Sequence, residues 1–237
     1  MGKAAISRGD TGADDGIGAR VWVLPVPPSA SVNEFDLTVL DEDEHRRVAA
    51  FIRDADRALY AFAHIALRTV LSHLTGVAPG ELRFARDPCP CCGKPHGRPV
   101  LTTGAPEFSL SHTRGLVVIG TASTPIGVDA ETVPAPEAAE QLAKVLHPAE
   151  RAELEASRPE ARPGVFARLW SRKEAYLKGL GTGLGRDLAA DDVRHGVEGW
   201  QLADLAAGPD HAAAVAVASS TPCGVSVHHA LPHRARG

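Results

Sequence analysis

The sequence has no apolar run long enough to span a bilayer, which excludes an α-helical membrane protein. Its first 20 residues, MGKAAISRGDTGADDGIGAR, lack the apolar stretch of a secretory signal. A cytoplasmic protein is therefore expected, with a disordered Gly- and Asp-rich tail over residues 1–19. Net charge is nearly absent: 25 Lys and Arg against 29 Asp and Glu leave −4. That excludes a basic field over the whole surface, so no nucleic-acid or membrane partner is expected. Any anion site has to be a local cluster of Arg, Lys and His. Cysteine is scarce, with four in the chain, three of them packed as Cys89, Cys91 and Cys92 in CPCC. Without a secretory signal they read as reduced thiols, not as a disulfide framework. Cys89 and Cys92 form one CxxC with His96 nearby. With no second pair, a surface loop is expected there in preference to a zinc site.

What is present is ordinary for a globular protein: 44% hydrophobic and 23% charged residues over 237 positions, enough for one large domain or two small ones. ARVWVLPV (residues 19–26) reads as a strand closed by Pro27 and Pro28. Asp41 with Glu44 three residues later is a capping-box pattern at a helix start. Over residues 54–74 apolar side chains, among them Leu59, Phe62, Leu67, Val70 and Leu71, recur at helical spacing, and Gly76 and Pro79 end the run. Strands follow at residues 82–86, in EFSLSH and in GLVVIGTA, with His112, Thr113 and Arg114 expected at the turn between the last two. The second half begins with the strand IGVDAE, continues with helices near residues 137–146, 148–156 and 165–180, and ends in short strands near 199–202, 212–219 and 224–228. This order suits an α+β architecture of antiparallel sheets packed with helices. The expected boundaries are an N-terminal unit at 20–122, a C-terminal unit at 123–229 and a flexible tail at 230–237.

In IGVDAE the side chains alternate. Ile126, Val128 and Ala130 share one face, and Gly127, Asp129 and Glu131 the other. Two carboxylates two residues apart repel unless a cation lies between them, and paired hard oxygens suit Mg²⁺. A lone Asp-x-Glu is more often a solvated strand face. In FARLWSRKEAYLKGL, Phe166, Leu169, Leu177 and Leu180 form a buried stripe, while Trp170, Glu174 and Lys178 are spaced by four on a neighbouring face. That triplet offers a further ligand and a cation for a phosphate, or merely a surface Glu-Lys pair. Lys173 is either a phosphate contact or a solvated charge. In FSLSHT, Ser111 and His112 stand near a strand end, where a hydroxyl, an imidazole and backbone N–H groups can hold a phosphate. Arg46, Arg47, Arg57 and Arg98 are candidates for further phosphate contacts, or exposed solubilising charges.

Taken in order, FSLSHT, IGVDAE and WSRKEAYLK resemble the signature of the 4'-phosphopantetheinyl transferase superfamily. The family carries a Ser-His near a strand end, a Gly-φ-Asp-x-Glu strand (φ apolar) and a Trp-x-x-Lys-Glu-(Ala/Ser)-x-x-Lys helix. The likeness extends to ADRALYAFAHIALRTVL, and the length is similar to the long, monomeric Sfp type. The resemblance implies two similar α+β subdomains related by pseudo-twofold symmetry. It implies transfer of the phosphopantetheine arm of coenzyme A to a serine of apo acyl carrier or peptidyl carrier proteins, releasing adenosine 3',5'-bisphosphate. The setting would be polyketide, nonribosomal peptide or fatty-acid synthesis. On this likeness Asp129, Glu131 and Glu174 would hold Mg²⁺, with Mn²⁺ as an alternative, and Lys178 would stabilise the leaving phosphate. Ser111 and His112 would hold the nucleotide end, with Arg47, Arg57 and Arg98 around the 3'-phosphate or adenine. The family's Gly-Lys-Pro falls on Gly97-Arg98-Pro99, with Gly93-Lys94-Pro95 as the alternative. The base for the serine proton would be Glu174, Glu150 or a metal-bound water. Two rivals use the same residues: a metal-dependent phosphohydrolase, and a binder of coenzyme A or carrier protein without activity.

Overall fold

A computed structural model of the chain describes residues 17–232. Two sheets stack face to face, and a long helix lies on the outer side of each. The first sheet has four strands in the order β4 (Glu107–Thr113), β5 (Leu116–Ala122), β1 (Ile17–Pro25), β9 (Gly224–His228). The second has three antiparallel strands in the order β6 (Ile126–Thr132), β8 (His211–Ala218), β7 (Trp200–Leu205). A small hairpin of β2 (Phe84–Arg86) and β3 (Pro99–Leu101) stands apart. The α+β class expected from the element order is what the chain forms.

Alternation along the strands explains the layers. Val21 and Val23 of β1 and Val118 of β5 meet Ile126, Val128 and Ala130 of β6 and Val215 and Val217 of β8 in the core between the sheets. The opposite faces of β1 and β5, with Trp22, Leu24, Val117 and Ile119, pack on Ala63, Ala66, Leu67 and Val70 of α2 (Asp54–Thr75). Strand β5 is thus buried on both faces, which fits LVVIGTA being apolar apart from Thr121. On the second sheet, Ala214 and Ala216 of β8 lie beneath Ala175 and Leu177 of α5 (Arg162–Leu180). Small residues there let the helix come close.

The helix starts follow the expected chemistry. At the start of α1 (Glu42–Ala50), Glu44 N–H donates to Asp41 Oδ1 at 2.9 Å and Asp41 N–H donates to Glu44 Oε2 at 2.9 Å. Helix α2 ends at Gly76, whose φ of 74° is the left-handed cap that glycine adopts without strain. Helices α3 (Pro136–Leu142) and α4 (Pro148–Ala156) both begin with proline in the first turn.

Three expectations change. Residues 17–19, assigned to the tail, belong to β1; residues 1–16 and 233–237 lie outside the described ones. His112 is not in the turn. Strand β4 runs through Thr113, His112 faces Val117 across the ladder, and the chain reverses at Arg114 and Gly115, where φ is 84°. The boundary at residue 123 also fails to separate the halves, because β9 leaves the second half and pairs in parallel with β1.

Candidate active site at the seam of the two sheets

Strand β6 turns Gly127, Asp129 and Glu131 towards α5. A Cβ on Gly127 would stand 1.9 Å from the Ala175 carbonyl oxygen and 2.5 Å from the Gly179 nitrogen. Gly179 is also too tight for a side chain, with the Trp200 ring 2.5 Å from where its Cβ would be. These two glycines let the helix backbone lie against the strand, so that short carboxylate side chains reach the same space as α5 residues. On that helix Trp170, Glu174 and Lys178 are half-buried in a line, between fully buried neighbours, as their spacing predicts.

Strand β4 meets β6 edge to edge through side chains. Ser109 Oγ accepts from Val128 N–H at 3.0 Å, Ser111 Oγ accepts from Ala130 N–H at 3.3 Å, and Thr113 and Thr132 hydroxyls meet at 3.0 Å. Alternate hydroxyls on β4 thus supply the bonds that a neighbouring strand's backbone would. Sequence reading passed over Ser109 and Thr113, although their spacing of two with Ser111 was visible.

Ser111 also joins the charged cluster. Its hydroxyl donates to Asp129 Oδ1 at 3.0 Å and accepts from Lys178 Nζ at 3.0 Å; Lys178 Nζ lies 2.6 Å from the same Asp129 oxygen. Ser111 is therefore engaged in buried contacts on the carboxylate side, opposite the nucleotide role expected of it. Asp129 is 3% exposed. Its other oxygen, Oδ2, is buried with no hydrogen-bond partner among the described residues, a costly condition for a carboxylate. Burial, then repulsion from Asp129 and Glu174, pushes Glu131 up to about 7, against the pull of Lys178 and Trp170. Burial and Asp129 likewise raise Glu174. Three carboxylates share one lysine; their oxygens do not form a group within 4.8 Å of one another, but the orphaned oxygen and the mutual repulsion fit a divalent cation that would draw Asp129, Glu131 and Glu174 together.

His112 points the other way, to the exposed side, edge-on to Tyr60 with ring centroids 6.2 Å apart. Its surroundings, His64 and Lys178 lower its pKa to about 4, so the imidazole is neutral near pH 7. Tyr60 stacks on His64 at 4.1 Å. His64 Nδ1 and Arg68 Nε each lie 2.8 Å from Glu44, and Arg68 also reaches Asp41 at 2.7 Å. Tyr60, His64 and Arg68 recur every four residues on α2. That polar stripe in an apolar helix was legible, and sequence reading missed it.

The remaining candidates divide. Arg47 is exposed, and its charge is felt by Tyr60. Arg57 is held by Asp54 at 3.0 Å and the Phe51 carbonyl at 2.9 Å, and Arg46 pairs with Asp43. Arg98 is tied to Asp87 at 2.9 Å and Glu107 at 3.1 Å, so much of its charge is already neutralised. Glu150 is wholly buried. It caps α4 through His147 N–H at 3.0 Å, accepts from Val193 N–H at 2.9 Å and pairs with Lys173 at 3.0 Å. Lys173 in turn donates to the Leu188 and Asp191 carbonyls at 2.7 Å. Neither expectation for these two survives: Glu150 has both oxygens engaged inside the protein, and Lys173 is neither solvated nor open to a ligand.

The model of the 4'-phosphopantetheinyl transferase superfamily matches residues 125–219, which hold Asp129, Glu131, Glu174 and Lys178. The 4'-phosphopantetheinyl transferase HetI of Nostoc sp. is 29% identical over 212 residues, covering 84% of this chain and 86% of the relative. The chain belongs to the 4'-phosphopantetheinyl transferase superfamily. The 4'-phosphopantetheinyl transferase Sfp of Bacillus subtilis is 24% identical over 208 residues, 87% of this chain and 84% of that one. A shorter match, 38% over 126 residues, joins half of this chain to 44% of the L-aminoadipate-semialdehyde dehydrogenase-phosphopantetheinyl transferase of Eremothecium gossypii. The family model covers β6 through β8, and so the carboxylate side. The likeness to HetI and Sfp extends over most of the chain, including much of the half that carries Tyr60, His64 and His112.

Proposed function

We propose that this chain moves the 4'-phosphopantetheine arm of coenzyme A onto a serine of an apo acyl or peptidyl carrier protein, with adenosine 3',5'-bisphosphate as the other product. The observation that carries this is the mutual repulsion of Asp129, Glu131 and Glu174 around Lys178 at the β6–α5 contact, with one Asp129 oxygen left over. Asp129, Glu131 and Glu174 would hold Mg²⁺, with Mn²⁺ as an alternative. Bound there, the ion would neutralise charge on the pyrophosphate oxygens. Lys178, a third exposed and 2.6 Å from Asp129, would set its positive charge against the negative charge that develops on the leaving phosphate. Neutral His112, with Tyr60 and His64 behind it, offers the nucleotide end an uncharged hydrogen-bonding surface. Arg47 and Arg57 supply positive charge nearby. Arg98 would contact a 3'-phosphate only if its pair with Asp87 or Glu107 opens.

With Glu150 committed to Lys173, Glu174 is the carboxylate we assign to the serine proton, beside its role as a ligand. The partners would be carrier proteins of polyketide, peptide or fatty-acid synthesis, met by a monomer in the cytoplasm.

The test is direct. The chain is incubated with coenzyme A, Mg²⁺ and an apo carrier protein, and the intact carrier is weighed by mass spectrometry. A phosphopantetheine adduct is expected. Coenzyme A breakdown without an adduct would point to a hydrolase, and no change in either to a binder.

A further inference from the structure

We propose that Cys89, Cys92 and His96 form a structural zinc site that clips the loop between β2 and β3. Their ligand atoms all lie within 4.8 Å of one another, and Cys92 Sγ is 3.0 Å from His96 Nε2. Among the described residues, these three are the one such group of His, Cys, Asp or Glu. Tetrahedral zinc, with bonds of about 2.3 Å to sulfur and 2.0 Å to nitrogen, sets its ligand atoms about 3.5–3.8 Å apart. The three side chains are therefore near ligand spacing already.

The backbone explains why. Cys89 O accepts from Cys92 N–H at 3.2 Å and from Gly93 N–H at 2.7 Å, while Cys89 N–H donates to Lys94 O at 2.7 Å. Gly93, at φ 72°, completes the tight turn. This wrap aims both thiols to one side. His96 N–H then donates to Lys94 O at 2.8 Å, which turns the imidazole back towards them. The fourth position of the tetrahedron would fall to water, since Cys91 is not part of the group whose ligand atoms lie together.

The loop also needs such a clip. Residues 90–96 are all exposed, so no apolar burial orders them. All four cysteines are free thiols. Zinc would displace the two thiol protons and supply the missing ordering energy. The loop's two ends are already joined, with Gly97 N–H on Asp87 O at 2.9 Å and Asp87 N–H on Arg98 O at 3.0 Å.

Elemental analysis and native mass spectrometry of the full chain, purified without chelator, should find about one zinc per chain. In Cys92→Ala and in His96→Ala, both at exposed positions, zinc content should fall by about tenfold or more, and in Cys223→Ser it should persist. Co²⁺ added to the zinc-free chain should give the visible absorption of thiolate-bound tetrahedral cobalt, lost in Cys92→Ala. Circular dichroism checks that each variant is folded. The proposal is overturned by a chain with free thiols that takes up neither zinc nor cobalt, by a Cys89–Cys92 disulfide in the isolated protein, or by zinc that stays in both variants. None of these readouts depends on transferase activity.

Discussion

Glu44 and Glu131 are the same residue type, both drawn well out of water, and they respond in opposite directions. Burial alone would raise Glu44, but hydrogen bonds from His64, Arg68 and the Asp41 backbone overcome it and bring the pKa down to about 2. Burial raises Glu131 too, and the neighbouring Asp129 and Glu174 add to it, so the pKa climbs to about 7. The first cluster engages both of its acids, Asp41 and Glu44, through ion pairs to Arg68 and a hydrogen bond between Glu44 and His64. The second sets three acids against Lys178. A network whose acids are all paired holds structure together. One whose acids outnumber its cations lacks positive charge, and it lies where a phosphate-bearing ligand and its ion would bring charge of both signs.

Breaking the matched cluster should have the largest effect. Arg68→Ala leaves Glu44 and Asp41 without their guanidinium in a site where Arg68 is fully buried, and urea denaturation should show a loss of about 3–5 kcal/mol. Glu174→Gln should act on the other cluster in the reverse sense. Turnover at saturating Mg²⁺ should fall by about 10²–10³-fold, while thermal stability holds or rises, because a repelled carboxylate has gone. Unchanged turnover would remove Glu174 from the site.

Acid should also separate the two. The folded pKa of Glu44 lies below its unfolded value, so its contribution is fully present above about pH 4.5 and is lost as pH falls towards 2. A shift of that size is worth on the order of 3 kcal/mol, and the slope of stability against pH in this window should flatten in Arg68→Ala. Mg²⁺ at 100 times its Kd should stabilise the native chain by about 2.7 kcal/mol, an increment that Glu131→Ala should abolish in a thermal melt. The smallest effect belongs to the seam. Ser109→Ala leaves the Val128 N–H without its 3.0 Å acceptor and should cost about 1–2 kcal/mol; a neutral result would mean that β4 and β6 are held together without the hydroxyls.

The sequence alone determined what depends on short spacings. Alternation in IGVDAE put Asp129 and Glu131 on one face, and the four-residue rhythm of α5 put Trp170, Glu174 and Lys178 in a line. The Asp41 and Glu44 capping box was equally readable, because its partners are three residues apart. Tertiary structure alone decided the pairings across long stretches of chain. Glu150 and Lys173 are 23 positions apart and neutralise each other in the core, so a candidate base and a lysine read as either a phosphate contact or a solvated charge form a buried ion pair. Ser111 was aimed at Asp129 by the β4–β6 seam, and β9 crossed to the first sheet to pair with β1. Periodicity reports which face a side chain takes. It carries no information on which distant charge or strand will be brought to that face, since that is set by how the layers close over their shared core.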